Sequence, residues 1–242
     1  MSTKRKSISG TVAKKTKRSV PYEKKYQVQK PGVERTGGYY GRYNNSIGMG
    51  SVEKKFFDTQ RAFQIPAITG TVLNPSLNLI PQGTTESTRV GRKIMIKNLY
   101  LHGEIELPAT ATAASTGDIV RMIVYIDKQC NGATINITDL LEDNSAAVDV
   151  NSFRKLANQE RFVVLKDKMY PINSSSGGLT GNSSGYSVFN IKVYKKLDLP
   201  VEFSAAMGAI TEIKSNNIGV ICVSSKGLAR VAYTSRVRYT DN

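Results

Sequence analysis

The chain has 242 residues, 40% of them hydrophobic, and a formal net charge of +15 from 34 Lys+Arg against 19 Asp+Glu. That length and apolar content suit one large globular domain, and no apolar run approaches the roughly 18 residues of a membrane-spanning helix, so no membrane insertion is expected. Two cysteines, Cys130 and Cys222, offer no zinc or disulfide spacing, and the expectation is one buried thiol, one loop thiol and no cofactor.

The positive charge is gathered at the N-terminus. Residues 1–30 hold ten basic side chains (Lys4, Arg5, Lys6, Lys14, Lys15, Lys17, Arg18, Lys24, Lys25 and Lys30) against Glu23, a local net of +9. Such a segment buries too little apolar surface to offset its ordering entropy, so residues 1–36 read as a flexible arm. Its natural partner is a nucleic acid backbone. The clusters Lys4-Arg5-Lys6 and Lys14-Lys15-Thr16-Lys17-Arg18 are spaced like a bipartite nuclear import signal, whose partner would be a host import receptor. A solvated polycation is the plainer reading, and the two are compatible. The start of the chain lacks the apolar stretch of a secretory signal, which points to use inside a cell.

Residues 37–50 form a Gly-rich linker carrying Tyr39, Tyr40, Arg42 and Tyr43. Exposed aromatic faces beside cations suit base stacking; packing on the body or on another subunit explains them equally well. The expected domains are 1–50, arm and linker, and 51–242, the folded body.

From there the pattern is of strands broken by Gly, Asn, Ser and Pro. Val52–Phe63 reads as a first, edge strand. Lys93–Leu107 is long, with Leu99, Leu101, Ile105 and Leu107 on one face. Ile119–Ile126 is apolar on both faces and so should be central. Arg161–Tyr170 follows. Tyr186–Leu199 alternates clearly, with Phe189, Ile191 and Val193 opposite Asn190, Lys192, Tyr194 and Lys196. A short strand is expected at Ile210–Ile213 and a buried one at Ile218–Val223. Ala229–Tyr239 places Val231, Tyr233, Val237 and Tyr239 inward and Arg230, Arg236 and Arg238 outward. A polar outer face is ordinary for a strand; a basic stripe facing nucleic acid is the sharper reading. Only Asp139–Glu142 and Phe153–Ala157 allow helical turns. Eight strands with long polar loops at 108–118, 128–160 and 171–185 favour an all-β, eight-stranded jelly-roll sandwich of two antiparallel sheets.

Catalytic chemistry is thin. His102 is the sole histidine and lies within a strand, where a structural or surface role is the default. No phosphate-cradling Gly-Lys loop occurs. Asp139, Glu142 and Asp143 could hold calcium, but a solvated loop is the simpler account. An enzyme is not expected.

Residues 88–105, Thr-Arg-Val-Gly-Arg-Lys-Ile-Met-Ile-Lys-Asn-Leu-Tyr-Leu-His-Gly-Glu-Ile, resemble the segment of geminivirus-type coat proteins in which a basic turn leads into a long strand. Val120–Gly132, the Phe162–Lys168 strand and the terminal Arg-Val-Arg-Tyr-Thr-Asp strand are similar to their counterparts in capsid proteins of small circular single-stranded DNA viruses. The zinc-finger-like Cys/His set of that family is missing here. The resemblance implies a jelly roll that self-assembles into an icosahedral shell of about sixty copies, with the arm inside on a single-stranded DNA genome. It implies location in the virion and the host nucleus. A satellite-like shell around RNA is the alternative, because a polycation reads phosphate and not the 2′-hydroxyl. A non-viral nucleic-acid-binding module is a third reading. Shell contacts are expected from Tyr170, Pro171, Ile172 and Leu179.

Overall fold

The computed structural model describes residues 54–67, 75–107, 117–143, 148–173 and 188–241. Eight strands are present: β1 Lys54–Gln64, β2 Lys93–Glu106, β3 Gly117–Asp127, β4 Phe162–Asn173, β5 Val188–Phe203, β6 Ile213–Ser215, β7 Asn217–Ser224 and β8 Arg230–Asp241. They form a large sheet of order β1-β8-β2-β5-β6 and a small one of order β4-β3-β7, every pairing antiparallel.

The small sheet has a fourth, short member. Ser76 bridges Gly219 in antiparallel sense, with Leu77 N–H donating to Ile218 O (2.8 Å) and Val220 N–H to Pro75 O (3.3 Å). With that segment beside β7, two four-membered layers face each other in jelly-roll order, and β6 merely extends the large sheet. The expected short strand at 210–213 is displaced. Ile210–Glu212 is a 3₁₀ turn, and pairing with β5 starts at Ile213.

Alternation builds the core. Leu99, Leu101 and Ile105 of β2, Ile191 and Val193 of β5, and Val231, Tyr233, Val237 and Tyr239 of β8 point from the large sheet onto Val120, Met122 and Val124 of β3 and Ile218, Val220 and Cys222 of β7. The small sheet is buried on both faces, as the two-faced apolar character of β3 requires. Its outer residues Ile123, Tyr125, Phe162, Ile221 and Val223 lie under a second cluster with Ile135, Leu140, Leu141, Val148 and Val150.

That second cluster comes from the stretch read as a long polar loop. It carries a one-turn helix, α1, Ile137–Leu140, whose capping box joins Asn136 to Asp139. Arg121 pins its far end. The guanidinium chelates Asp167 (2.8 and 2.8 Å) and donates to Val150 O and Ser152 O at 3.0 and 2.5 Å. Tyr170 and Ile172, expected at subunit contacts, are buried in the main core. Among the expected contact residues, Pro171 is exposed and Leu179 lies outside the described residues.

Candidate functional faces

The residues assigned to nucleic acid and nuclear import, Lys4 to Lys25 with Tyr39, Tyr40, Arg42 and Tyr43, all lie outside the described residues. The folded body presents two other faces, and strand register decides what each contains.

On the outer face of the large sheet, residues directly opposite one another share a side. Register therefore builds rows across β1, β8, β2 and β5: Phe56–Arg238–Asn98–Lys196, then Asp58–Arg236–Tyr100–Tyr194, then Gln60–Thr234–His102–Lys192. Asp58 and Arg236 pair through two hydrogen bonds (2.7 and 2.6 Å), and the same guanidinium lies 4.6 Å from the Phe56 ring centre. Hydrogen bonding to Arg236 holds the Asp58 carboxyl below its ordinary range. The Tyr100 and His102 rings are 5.4 Å apart, and the Tyr194 hydroxyl reaches Asn98 Oδ1 at 3.3 Å. Further along, Glu104 and Glu106 take over, and Arg230 pairs with Glu106 at 3.3 Å. The basic stripe expected on β8 is therefore not uniform. Arg230 is engaged with Glu106 of β2 and Arg236 with Asp58 of β1, while Arg238 has no acidic partner among the described residues.

The outward positions on β5 and β8 were readable from alternation. Their company was not. Tyr100, His102 and Tyr194 carry no motif, and only pairing of distant strands brings them together.

The second face sits on the cap over the small sheet, where exposed apolar side chains stand among Arg154, Lys155 and Gln159. Phe153 is 80% and Leu156 72% exposed, and a hollow of about 160 Å³ beside Leu156 is floored by Leu140, Phe162 and Val164.

Catalytic arrangements do not assemble in the described residues. Exposed His102 stacks on a tyrosine rather than on a nucleophile. Asp139 caps α1, and Glu142 Oε1 accepts from Leu156 N–H at 3.3 Å. No group of three or more His, Cys, Asp or Glu among the described residues is placed to hold a metal. Cys130, expected as a loop thiol, lies in the loop after β3 and is buried like Cys222. Burial raises both thiols, Cys222 to about 12, because a thiolate has no water to solvate it.

The turn that carried the geminivirus resemblance proves structural. Arg89 is fully buried, donates to Ile80 O (3.0 Å), Gly91 O (2.7 Å) and Ala205 O, and lies 4.1 Å from the Phe203 ring centre. Its role is to tie three loops together, a demand of the fold rather than of a particular genome.

The family model of the satellite tobacco necrosis virus coat protein matches residues 41–242. The coat protein of Maize white line mosaic satellite virus is 29% identical over 164 residues, covering 64% of this chain and 68% of that protein. Among solved structures, that of Desmodium yellow mottle tymovirus covers 84% of this chain and 96% of its own at 10% identity and a TM-score of 0.36. The 60-mer BFDV capsid protein covers 80% of this chain and 94% of its own at 10% identity and a TM-score of 0.31. The coat-protein class implied by the resemblance stands, and its geminivirus, single-stranded DNA type finds no support in these matches. With every described residue inside the matched span, the chain belongs to the satellite tobacco necrosis virus coat protein family.

Proposed function

We propose that this coat protein assembles into a closed icosahedral shell of about sixty copies and packages a single-stranded genome through its N-terminal arm. The observation that carries the proposal is the separation of charge from fold. A +9 segment precedes the body that the family model covers. At one charge per nucleotide, about sixty arms neutralise on the order of 500 phosphates, and about sixty whole chains on the order of 900.

The match to satellite-virus coat proteins favours RNA over DNA as the cargo. The DNA reading brought host nuclear entry with it. With RNA, the clusters at Lys4–Lys6 and Lys14–Arg18 need act only as phosphate-binding charge. The exposed Phe153 and Leu156 supply apolar surface for contacts between copies.

Nuclease digestion of the contents of purified particles tests this. Cargo that ribonuclease degrades and deoxyribonuclease spares is expected. Deoxyribonuclease-sensitive cargo restores the DNA reading. A small soluble oligomer that never closes, seen by light scattering, replaces the shell with a nucleic-acid-binding module.

A further inference from the structure

We propose that the outer face of the large sheet, where Tyr100, His102, Tyr194, Arg236 and Arg238 converge, is a second binding site for single-stranded nucleic acid. It rests on the packaging role just proposed and adds to it a site on the folded body. Bases lie on the tyrosine and histidine rings, while phosphates meet Arg238 and the lysines of β5.

Three observations support this occupant. The residues line an open cleft of about 450 Å³. Tyr194 is 54% exposed, a large aromatic surface left in water beside the Tyr100–His102 pair. Among the described residues, Arg238, Lys192 and Lys196 have no acidic partner, whereas Arg230 is paired with Glu106 and Arg236 with Asp58, which also lines the cleft. The uncompensated cations, Arg238, Lys192 and Lys196, thus stand in the rows that carry the rings, the combination that holds a single strand without reading its sequence. The outer face of the small sheet is unavailable for such a role because its cap covers it.

An acidic segment of a second copy would satisfy the cations but leave the rings unused. A polynucleotide uses both.

The test uses full-length protein and a fluorescent oligouridylate containing thiouridine. Affinity is measured across a salt series for wild type, Tyr100→Ala/Tyr194→Ala, Tyr100→Phe/Tyr194→Phe and Arg238→Gln. Photo-crosslinked peptides are then located by mass spectrometry. The alanine pair is expected to bind about tenfold or more weakly with an unchanged salt slope, and the phenylalanine pair to bind like wild type. Arg238→Gln is expected to lower the slope magnitude by about 0.7. Crosslinks are expected on peptides bearing Tyr100 or Tyr194. Crosslinks confined to residues 1–53 with unchanged affinity would overturn the site and leave packaging by the arm standing. Variants that lose particle formation at unchanged affinity would also overturn it, making the face a contact between copies. A wild-type chain that ignores the oligonucleotide at low salt would remove the packaging role and this site together.

Discussion

Asp118, at the start of β3, is nearly buried, and five groups fill its two oxygens. They are the hydroxyls of Ser224 and Ser225 and the amides of Lys226, Leu228 and Ala229, the last four at 2.9–3.1 Å. Burial alone would raise its pKa. The donors of the β7–β8 turn outweigh burial and hold it below the ordinary 3.8. A depressed folded-state pKa means that the unfolded chain binds the proton first as pH falls. The stabilisation is therefore present above about pH 4 and is lost as pH drops through the folded value. Asp118→Asn turns an amide toward those donors, and a loss of about 2–3 kcal/mol at pH 7 is expected in urea melts. The variant should also lose part of the acid-side decline of wild type. Arg89 is the basic counterpart, a charge whose partners are carbonyls and a ring. Neither role is visible in sequence, because Asp118 and its donors are far apart in the chain, and Arg89 reads there only as part of a basic turn.

Among the elements, β2 shows how closely the strands are fitted. It lies between β8 and β5, and a Cβ at Gly103 would stand 2.1 Å from Ala232 O and 2.6 Å from Tyr233 Cα. Backbone atoms of a central strand cannot swing aside as a side-chain end can. Gly103→Ala is expected to destabilise by about 1–3 kcal/mol, read as a lower urea midpoint at unchanged slope. The long strands were legible because β5 and β8 alternate strictly, and β3 and β7 do not alternate because both faces are covered. The member at residues 75–77 was not legible; a bridge so short, opened by a proline, has no periodicity. The cap was misread for a related reason. Its apolar residues, from Ile135 to Val150, are scattered among polar ones and converge only over a sheet that already exists.

At the scale of the whole molecule, fold and charge are separable. With five to seven arm charges engaged on a single strand, log affinity should fall with log salt at a slope of about −3.5 to −5. Deleting residues 1–30 should flatten most of that slope and leave the thermal transition of the body in place; calorimetry beside binding titrations checks both. The contacts between copies proposed above use the opposite side of the body, at Phe153 and Leu156. Phe153→Ser with Leu156→Ser should change monomer stability by only about 0.5 kcal/mol, since both side chains are already in water. The same double variant should block particle formation in light scattering, because desolvated apolar side chains dominate contact energies.

The basic arm, the strand count and the inward and outward residues of each long strand are local properties. They follow from charge density and from a side-chain period of two, which neighbours along the chain display by themselves. Partnership is not local. That Tyr100 lies opposite Tyr194 and Arg236, that Arg230 is neutralised by Glu106 while Arg238 is not, and that a polar-looking loop closes over the small sheet were decided by register between distant strands. Only burial of the common core selects that register, since a slip of one residue would turn every apolar side chain outward.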